Sequence, residues 1–154
     1  MTLCCDVLKA LEGKTLATAE SITGGGIGNA LTAVPGSSFV YKGGVISYCN
    51  EIKHKLLGVD PVILAQWGAV SAPVAEAMAV GAKKALCTDV AVSVTGLAGP
   101  GGDEFGNPVG TVVIGYADDS AVLSRKYVFV GGRESVRRQT VEAALRLVLE
   151  RNCR

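Results

Sequence analysis

Thr15-Leu16-Ala17-Thr18-Ala19-Glu20-Ser21-Ile22-Thr23-Gly24-Gly25-Gly26-Ile27-Gly28-Asn29-Ala30-Leu31-Thr32-Ala33-Val34 is the stretch from which the architecture can be read. Thr15 to Ala19 is a short apolar run of strand type that points into a polar, glycine-rich loop, Ser21 to Gly26. Beyond that loop Ile27, Ala30, Leu31 and Val34 recur at i, i+3, i+4 and i+7, the stripe of a helix with one buried face, and Pro35-Gly36 stops it. Strand, loop and helix in this order open an alternating α/β series.

The series extends in both directions. Upstream, Val7, Leu8 and Leu11 stand at helical spacing. Downstream, Phe39 to Tyr48 is rich in β-branched and aromatic residues, and its Gly43-Gly44 pair suggests a bulge or a close backbone neighbour. Asn50 is placed to cap a short helix, Glu51 to Leu57, that Gly58 ends; Asp60-Pro61 starts another. Ser71-Ala72-Pro73 opens a third helix, in which Ala75, Met78, Ala79, Ala82 and Ala85 imply tight packing. Val90 to Val94 is nearly continuous in apolar residues, as in a strand covered on both faces. Thr111 to Tyr116 and Ala121 to Val130 read as neighbouring strands around Asp118-Asp119-Ser120, and Arg133 to Arg151 as a closing amphipathic helix. The expected fold is a single three-layer α/β/α domain over residues 1–154, with a mixed, mainly parallel sheet and a late antiparallel hairpin. In such sheets ligands sit beyond the strand C-termini, so the Ser21 to Gly26 and Thr95 to Gly102 loops should be neighbours.

Composition narrows the function classes. Of 154 residues 49% are hydrophobic and 19% charged, with a mean hydropathy of +0.36, which excludes disorder driven by charge and low hydrophobicity. Fifteen Lys and Arg against fourteen Asp and Glu leave a net charge of +1, so no long-range field favours nucleic acid or an anionic membrane. No apolar stretch reaches the roughly 18 residues of a bilayer span, and the start lacks a signal-peptide core; a cytoplasmic protein is expected. Cys4, Cys5, Cys49, Cys87 and Cys153 are scattered without a C-x-x-C, which indicates reduced thiols rather than a disulfide framework or a zinc site. Glycine is the outlier, at 20 residues against a usual share of about 7%, and it clusters in candidate working loops.

Three constellations can carry chemistry. Glu20-Ser21-Ile22-Thr23-Gly24-Gly25-Gly26 combines a carboxylate, hydroxyls and exposed N–H groups at a helix start, which suits an anion or a close ligand approach. It matches neither a P-loop nor a nucleophile elbow, and Ser21 or Thr23 as a plain N-cap is the simpler local reading. Tyr48-Cys49-Asn50-Glu51-Ile52-Lys53 could place Tyr48 and Lys53 over one pocket. An amine acts as a base only when neutral, and bringing one from about 10.4 to the range of about 7–8 costs roughly 4 kcal/mol, which burial can supply. Read locally, Lys53 is a solvated helix lysine, and His54, the lone histidine, a surface residue. Thr95-Gly96-Leu97-Ala98-Gly99-Pro100-Gly101-Gly102 suits a ligand lip or simply turns. Asp103-Glu104 makes a poor metal site, and neither metal nor cofactor is expected.

Taken together these segments, with Pro35-Gly36-Ser37-Ser38, Leu57-Gly58-Val59, Gly68-Ala69-Val70-Ser71 and Pro108-Val109-Gly110-Thr111-Val112, resemble the CinA C-terminal domain family over nearly the whole chain. Its standalone members include nicotinamide mononucleotide deamidases. The resemblance implies hydrolysis of the carboxamide of nicotinamide mononucleotide to the acid and ammonia, in pyridine nucleotide recycling, by a metal-free Ser/Lys arrangement. The family serine falls on Ser21, and the lysine and tyrosine of its Y-S-N-x-x-K motif on Lys53 and Tyr48. Ile22 and Cys49 depart from the residues frequent at those places without removing a reacting group. Under this reading Lys53 activates Ser21 and Tyr48 orients the amine or relays a proton. Backbone N–H groups of the Ser21 to Gly25 turn or the Thr95 to Gly99 loop hold the oxyanion. Glu20 faces the pyridinium, Ser37, Ser38 or Thr23 the phosphate, and Gly24, Gly25, Asn50, Thr95, Gly96 and Gly99 complete the substrate contacts. A homo-oligomer is expected, without nucleic-acid or membrane partners. The rival reading is a non-catalytic nucleotide-binding or regulatory module linked to competence and DNA damage.

Overall fold

In the computed structural model, which describes residues 2–153, the alternation resolves into α1 (Thr2–Ala10), β1 (Leu16–Glu20), α2 (Gly26–Thr32), a 3-10 turn at Ser37–Phe39, and β2 (Tyr41–Ile46). There follow α3 (Asn50–Leu57), α4 (Pro61–Trp67), α5 (Ala72–Leu86), β3 (Val90–Gly96), β4 (Thr111–Ala117), β5 (Val122–Val128) and α6 (Arg133–Asn152). The strands form one sheet in the order β2-β1-β3-β4-β5. β1 is parallel to both β2 and β3, whereas β4 is antiparallel to β3 and β5.

Alternating side chains decide what covers each face. Leu16, Val90, Val92, Val94, Val112, Ile114 and Tyr116 point into one core with Val7 of α1, Leu11 in the turn after it, and Ile27, Leu31, Val136 and Val148 of α2 and α6. The opposite face is built of Ala17, Ala19 and Ala91, and these small residues let α5 lie close with Val74, Met78 and Ala82. Ser93 joins the close contact by donating its hydroxyl to the Ala75 carbonyl. α3 and α4 pack on the same side through Leu57 and Leu64. Gly81 is obligatory in this layer, since a Cβ there would stand 1.9 Å from the Leu57 carbonyl oxygen.

Some element limits differ from the sequence expectation. β2 begins at Tyr41 because Ser37–Phe39 closes a 3-10 turn behind Gly36, whose φ of 82° is left-handed. The same strand ends at Ile46, which frees Ser47 and Tyr48 for the loop. The cap before α3 is Cys49 rather than Asn50, and its side chain makes no capping bond. Among the described residues no helix is long and apolar enough to cross a membrane.

Register positions the site. Glu20 stands opposite Ile46 on one side and Val94 on the other, so the parallel pairing ends level at these three residues, while β3 runs on to Gly96 against β4. Ser21 N–H donates to Val94 O and Ser47 N–H to Glu20 O, carrying the pairing one residue further. Ser21, Ser47 and Thr95 therefore emerge side by side at the carboxyl edge of the sheet.

Candidate active site

Lys53 reaches this edge from the first turns of α3, where Lys53 and Leu57 form the buried i, i+4 face. Only 2% of Lys53 is exposed. Its Nζ donates to the Ser47 carbonyl at 2.9 Å and lies 3.0 Å from Ser21 Oγ. Removal from water penalises the ammonium, and burial pushes Lys53 down from 10.5 to about 8, against a weaker opposing influence of the Cys49 sulfur. A largely dry amine beside an alcohol, oriented by a backbone carbonyl, is an arrangement that can move a proton between Oγ and Nζ.

Ser21 and Lys53 open onto a cleft of about 290 Å³ that is also lined by Ile22, Tyr48, Asn50, Thr95, Gly96, Gly99 and Arg133. A Cβ at Gly96, beside the serine, would stand 2.8 Å from Val112 Cγ2 and 3.0 Å from the Thr111 carbonyl oxygen, so this wall of the cleft has little room for a side chain. Thr95 gives its hydroxyl to the Ala69 carbonyl at 2.8 Å, so it ties β3 to the segment between α4 and α5. A hollow of about 620 Å³ adjoins the cleft across Asn50, Ala69, Val70 and Leu97.

Tyr48 sits at the mouth, 62% exposed. Its hydroxyl accepts from Arg133 Nη2 at 3.0 Å, and Nη1 of the same guanidinium donates to Gly99 O at 2.8 Å. Tyr48 thus has no bond to Lys53 in this structure; the group that orients the amine is the carbonyl of Ser47. Arg133 and Ser47 escaped the sequence reading. The available signal was Gly131-Gly132 before a helix whose first turns carry Arg133 and Arg137 at i, i+4.

Several expected ligand contacts are placed elsewhere. Glu20 is 2% exposed, and its carboxylate accepts from Ile27 N–H, Gly28 N–H and the Thr23 hydroxyl at 2.8, 3.0 and 2.6 Å. It closes the amino end of α2, where the sequence leads one to expect a ligand anion, and Thr23 is committed to it. Gly24 and Gly25, with φ of 58° and 101°, turn the chain behind the cleft, next to Arg137 and Ile46. Ser37 and Ser38 precede β2 and so lie at the amino edge of the sheet, opposite Ser21. They do not line the cleft within one chain.

The fold and site together define a small α/β domain: a mixed five-stranded sheet with a buried Ser–Lys pair in a cleft at its carboxyl edge. The sequence profile of the CinA C-terminal domain matches residues 3–152, and the chain belongs to that family. A crystal structure of a CinA superfamily protein from Klebsiella pneumoniae superposes with a TM-score of 0.94 at 34% identity, covering 97% of this chain and 95% of that one. A competence/damage-inducible protein from Agrobacterium tumefaciens gives 0.93 at 37% identity, over 97% and 93% of the two chains. A CinA-like protein of Thermosynechococcus vestitus is 53% identical over 138 residues, 88% of this chain but 33% of its own length. The chain spans about a third of such curated relatives. A protein of Pseudomonas putida called nicotinamide-nucleotide amidohydrolase PncC is 52% identical over 128 residues, 83% of this chain and 80% of that protein.

Proposed function

We propose that the chain hydrolyses the carboxamide of nicotinamide mononucleotide to the carboxylate and ammonia, with Ser21 as nucleophile and Lys53 as general base. The observation that carries this reading is the 3.0 Å contact between Ser21 Oγ and a buried Lys53 amine whose ionisation burial brings to about 8. The name of the Pseudomonas putida relative supports the substrate.

Neutral Lys53 takes the Ser21 proton as Oγ attacks the carboxamide carbon. The carbonyl electrons move onto oxygen, and the resulting ammonium of Lys53 returns its proton to the departing nitrogen, which leaves as ammonia. A water deprotonated by Lys53 then attacks the acyl ester, and Ser21 recovers its proton as the acid is released. Ser47 O keeps the amine aimed throughout. The N–H groups of Ile22 and Thr23 suit the oxyanion: among the described residues neither donates to a protein acceptor, whereas those of Ser21 and Leu97 are held by Val94 O and Thr111 O. Arg133, exposed at the mouth and with N–H donors beyond the two it uses, is the partner for the substrate phosphate.

The test is ammonia release from the purified protein, offered nicotinamide mononucleotide, nicotinamide or NAD. Release from the mononucleotide, lost by at least a thousandfold in Ser21→Ala and in Lys53→Ala, is the expected result. Binding of the mononucleotide without ammonia, or near-normal turnover in either variant, overturns it.

A further inference from the structure

The turn that follows Ser21 is gripped by a side chain from the far end of the chain. Arg137, one turn into α6 beyond Arg133, donates from Nε to the Ile22 carbonyl at 3.0 Å and from Nη2 to the Thr23 carbonyl at 3.2 Å. Each of these carbonyls shares a peptide group with the next N–H along the chain, that of Thr23 and that of Gly24. The Gly24 N–H in turn donates to Ser21 O at 3.2 Å, and the peptide group carrying that oxygen presents the N–H of Ile22. A cation on two carbonyls withdraws electron density through these linked peptide groups and strengthens the donors at their opposite ends. Those ends are the N–H groups of Thr23 and Ile22 beside the serine, which among the described residues have no protein acceptor.

We propose that Arg137 is the positioning residue of the oxyanion site, setting the angle of the Ile22 and Thr23 N–H groups and polarising them without touching substrate. The proposal rests on Ser21 being the nucleophile. Its physical content is that the benefit falls on the transition state, where charge develops on the carbonyl oxygen, and not on ground-state binding. Burial, opposed by the Cys49 sulfur, sets the ionisation of Lys53, and Arg137 is not among its causes, so the base should titrate as before when Arg137 is replaced.

The experiment compares kcat, KM and the pH profile of ammonia release from nicotinamide mononucleotide in the full chain, Arg137→Lys and Arg137→Met. Expected for Arg137→Met is a kcat lower by about ten- to a hundredfold, a KM within about twofold, and an unmoved limb near pH 8. Arg137→Lys, which keeps the charge but not the two-pronged grip, should fall between the two. If Arg137→Met does not fold, Arg137→Gln, which retains one neutral donor, is held to the same kcat and KM criteria. More than half of the wild-type kcat in the methionine or glutamine variant, a loss confined to KM, or a displaced pH limb each overturns the proposal. An unsubstituted protein that releases no ammonia instead overturns the functional reading, so the two failures are distinguishable.

Discussion

Lys53 is a base only to the extent that its amine is neutral. With burial setting it at about 8, roughly a tenth is neutral at pH 7. Ammonia release should therefore climb close to tenfold per pH unit below 8 and level off above it, as a pH series of kcat/KM will record. The same shift has a stability consequence of definite sign. Between pH 8 and 10.5 the unfolded chain holds a proton on Lys53 that the folded chain has released, so stability rises with pH across that window and carries the full penalty below it. Lys53→Met should accordingly be inactive yet about 1–2 kcal/mol more stable at pH 7, after allowance for the lost bond to Ser47 O, with the gain fading towards pH 10.5. Denaturant unfolding at pH 7 and 10 checks it, and a variant that is less stable at both values contradicts the assignment of a strained base.

Elements hold these groups through close backbone contacts. α3 delivers Lys53, and α3 lies on α5 at Gly81, where an added methyl would strike the Leu57 carbonyl. Gly81→Ala should cost about 2–4 kcal/mol by thermal or denaturant unfolding and, by shifting α3, lower turnover as well. β1 delivers Ser21, and the turn to α2 is closed by Glu20. Glu20→Gln keeps the shape but sets an amide N–H₂ against backbone donors, so a loss of about 2 kcal/mol is expected in the same measurement, with KM for the mononucleotide little changed. A large KM effect would return Glu20 to the ligand.

At the scale of the whole molecule, the mouth of the cleft joins residues that are 85 apart in sequence, Arg133 and Tyr48. Arg133→Ala should raise the KM for the mononucleotide by about tenfold or more and affect kcat less, because in the proposed reading the guanidinium meets a remote phosphate and braces the mouth rather than the reacting carbon. Steady-state kinetics with the mononucleotide and with its phosphate-free riboside separate the two contributions: the riboside should register only the loss at the mouth, and its KM should rise less than that of the mononucleotide.

Much of this was legible in the chain itself. The period-2 and period-3.6 patterns around Thr15 to Val34 and Val90 to Val94 identify strands and helices because burial of one face is a property of local spacing. They also bring the Ser21 and Thr95 loops to the same edge, since parallel strands must end on the same side. Ser21 and Lys53 were reached through motif resemblance; local pattern alone left Lys53 as a solvated lysine, although its i, i+4 relation to Leu57 marks the buried face of α3. What only the tertiary structure decided is which polar groups meet. Glu20 is spent on the amino end of α2, Ser37 and Ser38 lie at the end of the sheet opposite Ser21, Arg133 closes the mouth over Tyr48, and Arg137 reaches Ile22 from more than a hundred residues away. Apolar burial repeats along the chain and so leaves a trace in the sequence, whereas a hydrogen bond depends on two groups whose separation is set by how the layers stack, and no local pattern encodes that distance.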